Sequence, residues 1–264
     1  MAHGSRQKGE MTMIYVTGDT HGEWTGRLCR EVFPEQSEMT KDDFVIILGD
    51  FGIWDNSKKQ KKELDWLDER PFTTLFVDGN HENYDILDNL PATEWHGGKV
   101  HMIRPSVLHL MRGQIFNIQG KIFFTFGGAT SHDIRDGILD PEAPDFKKQI
   151  KSLKSQGKYM YRVNHMSWWE RELPSQEEMA EGIRNLKAQQ NKVDYILTHC
   201  PPTELLMQIG GNDRLFMPDR LTDYLEEIRK TVSFRAWLFG HMHLNLPFPY
   251  YNSICLYEQI TRML

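Results

Sequence analysis

Five short segments of this chain end in side chains able to hold a cation: Asp19 with His21, Asp50, Asn80 with His81, His199, and His241 with His243. The pairs Asp19/His21 and His241/His243 are spaced i, i+2, so in extended backbone both members of a pair point to one side. Two carboxylates, one amide oxygen and four imidazoles form a mixed oxygen and nitrogen donor set, with His81 left over. A single tetrahedral zinc needs fewer donors. Two divalent cations sharing a carboxylate fit the number, and imidazole with carboxylate favours Mn, Fe or Zn over a cage for Mg or Ca alone. A pair of cations about 3.5–4 Å apart stabilises both oxygens of an in-line displacement and lowers the pKa of a bound water. Phosphate-ester hydrolysis is the chemistry that most needs this, and His81 is then a general-acid candidate.

The elements that must position these residues are legible around them. MIYVTGDTHG (13–22), FVIILGDFG (44–52), TLFVDGNHE (74–82), YILTHCPP (195–202) and AWLFGHMH (236–243) are aliphatic or β-branched runs that stop at small polar clusters. Such runs read as buried strands, and in open α/β sheets ligands sit outside the carboxyl ends of strands. Gly18, Gly49, Gly79 and Gly240 each precede a polar residue and allow a tight turn and a close approach to an ion. Further strands are expected at 107–110, 114–118, 121–126 and 253–257, close enough together to suggest antiparallel hairpins. Helical patterns lie between strands. In residues 218–230, Leu221, Tyr224, Leu225 and Ile228 form one apolar stripe, with Arg229 and Lys230 in the last turn. In residues 175–187, Ser175 and Glu178 have capping-box spacing, and residues 58–69 form a third helix with a solvated lysine end. The pattern predicts a layered α/β domain with two packed sheets.

The ordered set DTH, GDFG, GNHE, THC and GHMH resembles the calcineurin-like metallophosphoesterase superfamily, whose motifs run DxH, GD, GNH, H and GHxH. The matches extend from residue 19 to residue 243. The resemblance implies a four-layer α/β/β/α sandwich of two mixed β-sheets flanked by helices. It also implies a dinuclear metal centre: Asp19, His21 and His243 on the first ion, Asn80, His199 and His241 on the second, and Asp50 bridging them. His81 matches the family's non-ligand histidine, which contacts phosphate or assists the leaving group. In-line attack by a metal-bound hydroxide, without a covalent enzyme intermediate, is the implied reaction. Mn is the first expectation for the two ions, with Fe, Zn or Ni as alternatives. One departure matters. Protein phosphatases of this superfamily read GDxxDRG, whereas this chain reads GDFGIWD, with Ile53 and Trp54 at the Asp and Arg positions. That disfavours a protein phosphatase and leaves Asp55 or Glu82 as candidates to orient His81. It leans the reading towards a small nucleotide or a diester, with a phosphomonoester or nucleotide pyrophosphate still open.

The chain has 264 residues, with 31 Lys+Arg against 37 Asp+Glu for a net charge of -6. An acidic chain does not grip nucleic acid by bulk charge, although a local basic groove stays open. No apolar stretch approaches the roughly 20 residues that cross a bilayer, which excludes a membrane-spanning enzyme. Cys29, Cys200 and Cys255 are widely spaced with no CxxC pair, which suits a reduced, cytoplasmic protein. Residues 1–10 read as an expression-tag remnant, and 11–264 as a single domain with an irregular insertion at about 130–190. Within that insertion, Ser131, His132 and Arg135 are candidate substrate contacts. Trp168 and Trp169, near Tyr159 and Tyr161, either stack on a nucleobase or pin the insertion, and pinning is the preferred reading. Arg162 and Arg171 are candidates for phosphate clamps or solvated charges. The partner expected is a small phosphorylated substrate, with oligomeric state open.

Overall fold

Residues 44–48 and 73–77 are unbroken apolar or β-branched runs, buried along their whole length. A strand reads this way when it is covered on both faces, as in a parallel sheet between two layers. The computed structural model, which describes residues 12–211 and 216–263, shows that arrangement. The N-terminal residues 1–10 lie outside the described residues. In chain order, the first half contains β1 (Ile14–Thr17), α1 (Trp24–Arg27), β2 (Phe44–Leu48), α2 (Lys58–Asp68), β3 (Thr73–Val77), α3 (Tyr84–Leu87), β4 (Ala92–Trp95), β5 (Gly98–Arg104), β6 (Val107–Leu110), β7 (Gln114–Ile118) and β8 (Lys121–Phe126). Next come β9 (Gly137–Leu139), α4 (Phe146–Ser155), β10 (Tyr161–Val163) and α5 (Gln176–Ala188). The rest contains β11 (Tyr195–Thr198), α6 (Thr203–Gly210), α7 (Arg220–Thr231), β12 (Ala236–Phe239), β13 (Leu246–Phe248), β14 (Ser253–Cys255) and β15 (Thr261–Arg262).

Two mixed sheets form the centre. One has the order β15-β1-β2-β3-β6-β5-β4 and the other β13-β14-β12-β11-β8-β7. β1, β2, β3 and β6 run parallel, as do β8, β11, β12 and β14, while the outer strands are antiparallel. Side-chain alternation splits the core into three layers. Ile14, Val16, Ile46, Leu48 and Leu75 meet Phe116, Phe123, Leu197 and Leu238 between the sheets. Tyr15, Val45, Ile47 and Phe76 face outward against Trp24, Leu28, Leu64 and Leu67 of the α1 and α2 side. Ile196, Trp237 and Phe239 face outward on the second sheet, against Met179, Leu186, Leu225 and Ile228 of α5 and α7. The result is a four-layer α/β/β/α sandwich.

The expected helices α2, α5 and α7 are present, with the Ser175–Glu178 capping box on α5. Among the closely spaced strands, β7 and β8 form an antiparallel hairpin, but β6 and β7 enter different sheets. A β4–β5 hairpin was not anticipated. Its turn residues His96 and Gly97 both have positive φ, 48° and 90°, the signature of a type I′ turn. Between residues 130 and 175, β9 and β10 pair in parallel around α4. Trp169 is 2% exposed, packs into the α1/α2 layer, and donates its indole N–H to Asp85 Oδ2 at 2.9 Å. It pins this strap to the first sheet's outer layer, whereas Tyr159 is exposed.

Candidate metal centre

The carboxyl ends of β1, β2 and β3 lie side by side, and those of β11 and β12 face them from the second sheet. Asp19 therefore meets His241, whose backbone N–H donates to Asp19 Oδ1 at 3.0 Å. Asp50, His21, His241 and His243 all adopt left-handed backbone, with φ of 43°, 47°, 63° and 50°. A non-glycine residue there costs about 1–3 kcal/mol and persists only where its surroundings hold it. Asp50 is held well, since its carbonyl accepts from the N–H groups of both Thr20 and His21, at 3.1 and 2.7 Å. The glycines before the polar residues are dictated by space. A Cβ at Gly79 would sit 2.1 Å from Asp50 Oδ1, and one at Gly240 2.3 Å from Asp19 Oδ1.

Asp19, His21, Asp50 and His243 offer ligand atoms that all lie within 4.8 Å of one another. His21 Nε2 is 3.2 Å from His243 Nε2 and 3.8 Å from Asp50 Oδ2, and His243 Nε2 is 3.1 Å from Asp19 Oδ2. On the other side of Asp50, His199 Nε2 is 3.4 Å from Asp50 Oδ1 and 3.2 Å from Asn80 Oδ1. The His241 ring lies 4.9 Å from that of His199, centroid to centroid. Thus all seven residues expected as ligands converge at one edge of the sandwich.

The donor set fits a divalent cation. His199 Nδ1 donates to the Leu48 carbonyl at 2.7 Å, so in the neutral ring Nε2 carries the lone pair, and it faces two oxygen acceptors. Lone pair against lone pair is unfavourable until a cation or proton sits between them. Asp19 is fully buried, yet its Oδ2 has no hydrogen-bond partner among the described residues, because His243 approaches outside hydrogen-bonding geometry. Burial alone would raise the Asp19 pKa, but His199 and the contacts from His243 and His241 outweigh it and pull the carboxyl down to about 2. It is a carboxylate under all ordinary conditions. Burial pushes the His241 pKa well down, which keeps that imidazole neutral and available as a ligand, while contact with Asp19 raises that of His243.

His81 donates its backbone N–H to Asp50 Oδ1 at 2.8 Å, and its ring lies 5.5 Å from His21 and 6.1 Å from the half-exposed Trp54. Neither candidate orienting residue serves it. Glu82 is fully buried and accepts from the N–H groups of Phe51, Gly52 and Ile53, at 2.6, 3.1 and 3.1 Å, so it shapes the loop after Asp50. Asp55 is exposed and accepts from Ser57 N–H at 2.8 Å. Instead the charges acting on His81 from outside the ligand set are Asp133 and Arg162, which pair with each other.

His132 lies with its ring 5.6 Å from His241 and 5.4 Å from Phe216, and with Arg135 it lines a cavity of about 610 Å³ beside the site. Arg171 is a partly exposed charge engaged by Asp88 and Glu178. Ser131, in the glycine-rich loop noted from sequence, accepts from Asn80 Nδ2 at 3.3 Å. Two residues carried no motif signal. Glu172, on the strap, accepts the Ser131 N–H at 3.2 Å. Asp78, two residues before Asn80, is buried and held far below the usual carboxylate range: burial works against this, but Arg112 and His109 prevail.

Comparison with known proteins agrees with this geometry. The family model for calcineurin-like phosphoesterases matches residues 12–245. The chain belongs to that family. The fold and the cluster of candidate metal ligands agree with that family, and the chain also resembles curated relatives. One is the lariat debranching enzyme of Schizosaccharomyces pombe, 25% identical over 78% of this chain and 44% of that protein. Another is the lariat debranching enzyme of Drosophila pseudoobscura pseudoobscura, 24% identical over 87% of this chain and 42% of that protein. The chain thus spans less than half the length of these two relatives. A solved structure titled phosphopantetheinyl hydrolase, from Mycobacterium tuberculosis, aligns over 93% of this chain and 88% of that one, with 17% identity and a TM-score of 0.45.

Proposed function

We propose that this chain is a dinuclear metal-dependent phosphodiesterase, with Asp19, His21 and His243 holding one ion, Asn80, His199 and His241 the other, and Asp50 between them. Mn is the first candidate for both, with Fe, Zn or Ni as alternatives. The observation that carries the reading is the buried Asp19 Oδ2, without a hydrogen bond among the described residues, beside imidazole nitrogens that face other acceptors. When bound, two such ions lower the pKa of a water and stabilise negative charge on phosphate oxygens. The protein's own part is to hold Asp19 ionised, to keep the His199 Nε2 lone pair inward, and to place the His81 imidazole where it can protonate a departing alcohol.

A diester is favoured because Trp54 stands where a phosphatase of this family would place a guanidinium, leaving one cationic clamp fewer for a dianionic monoester. The name of the lariat debranching relatives points the same way, and makes a nucleic-acid linkage the leading substrate class. Three free cysteines, two of them buried, support a reducing compartment such as the cytoplasm. Hydrolysis of bis(4-nitrophenyl) phosphate against 4-nitrophenyl phosphate, with Mn, Ni, Zn and Mg compared, tests the reading. The diester should be the better substrate, with two Mn per chain by metal analysis. At most one ion per chain at saturating Mn would overturn the dinuclear assignment, and a faster monoester would overturn the diester.

A further inference from the structure

An asparagine ligand has an ambiguity that a carboxylate lacks. Turning the Asn80 amide by half a turn exchanges Oδ1 and Nδ2 with almost no change of shape. Only Oδ1 can ligate a cation, so something must decide which end faces His199 and Asp50. Ser131 Oγ touches Nδ2 at 3.3 Å, but a hydroxyl can donate or accept, and by donating it would hold the flipped amide equally well. The tie has to be broken one bond further out. Glu172 is placed there: it is 2% exposed and takes the Ser131 N–H on Oε2 at 3.2 Å. Its Oε1 is buried without a hydrogen-bond partner among the described residues.

We infer that Glu172 is a positioning residue for the second metal site, drawing the Ser131 hydroxyl proton onto its carboxyl so that Ser131 must accept from Asn80 and Asn80 Oδ1 must face inward. The inference rests on the assignment of Asn80 to the second ion. An oxygen acceptor is all the relay asks of position 172, so it works with the carboxyl ionised or protonated. Both ends of the relay share one anchor. Arg112 donates to the Arg171 and Glu172 carbonyls at 2.8 and 3.3 Å and, through Nε, to Asp78 Oδ2 at 2.8 Å. Asp78 lies just before Asn80, so strap and ligand loop are referenced to a single buried ion pair. A relay of this kind tolerates little play, which explains why the strap is fixed by Arg112 and Trp169.

Mn binding to the full chain, followed by equilibrium dialysis and electron paramagnetic resonance, separates the two sites without relying on turnover. Glu172→Ala and Ser131→Ala should each weaken the second Mn by about 10- to 100-fold, the usual effect of losing a group that orients a ligand, and leave the first unchanged. Glu172→Gln, which keeps an acceptor oxygen, should stay within about threefold of wild type. In an Asn80→Ala background, Glu172→Ala should add nothing further. Loss of both Mn ions together, no loss in either alanine variant, or equal loss in Glu172→Gln and Glu172→Ala would overturn the relay. A wild type with a single Mn site would instead overturn the dinuclear reading, and the relay with it.

Discussion

Asp50 shows how one residue is made to serve a site from several sides. Its carbonyl is bonded by Thr20 and His21, one carboxylate oxygen takes the His81 N–H, and the other faces His21. The strained backbone at Asp50 is the cost of aiming that side chain between two groups of imidazoles. Replacing it should therefore do more than subtract a ligand. Asp50→Ala and His243→Ala should lose bound Mn and hydrolysis together, as read by metal analysis and diester assay. His81→Ala should keep most of the metal and lose about 100-fold or more in kcat, since removing a general acid typically costs that much. A His81→Ala protein that lost its Mn in parallel would place His81 among the ligands.

At the scale of elements, the strand ends were readable because a buried strand has to end somewhere, and here each ends in a residue that packing does not ask for. The strand ends and the glycines before the polar clusters carried enough geometry to gather Asp19, Asp50, Asn80, His199 and His241. The extended backbone expected for the i, i+2 pairs does not form, since His21, His241 and His243 are left-handed. What was not readable is everything set by contact between distant segments. Glu172 and Asp78 have no motif, and their roles arise only when the strap crosses the end of β3. The left-handed backbone at Asp50, His21, His241 and His243 has no signal either, because none is a glycine. The strap's attachment is itself testable. Trp169→Ala should cost about 3 kcal/mol of unfolding free energy by urea titration, as expected for emptying a buried indole, and Trp169→Phe should recover most of it. A change below about 0.5 kcal/mol, typical of a surface site, would mean that the strap is held elsewhere.

For the whole molecule, Glu172 and Glu82, two buried carboxyls whose pKa values burial raises, set a dependence on pH. Burial pushes the Glu172 pKa up to about 8, so the folded chain keeps a proton there that the unfolded chain releases near pH 4.5. The unfolded state then binds fewer protons between those values, and this group's contribution to stability is full below about pH 4.5 and is lost as pH rises through about 8. Glu82 is raised in the same direction, by burial and by Asp50, while His241 and His101 act oppositely on the acid side. The contribution of Glu172 is isolated by difference. In the presence of a chelator, Glu172→Gln should match the wild-type melting temperature near pH 5 and exceed it increasingly towards pH 8. A difference that is constant with pH would contradict a raised pKa at this site.

Asp19 and His241, joined by a backbone-to-carboxylate bond, stand 222 positions apart and belong to different sheets. Any ion held there is a clasp between the two ends of the polypeptide, and it binds the folded chain far better than the unfolded one. At an ion concentration 100 times its dissociation constant, such a ligand adds about 2.7 kcal/mol to folding. Inside a cell, that difference lowers the share of open chains offered to proteases by about a hundredfold. Metal supply would then govern how long each molecule survives as well as how fast it works, so that starvation for the ion would clear the idle protein away.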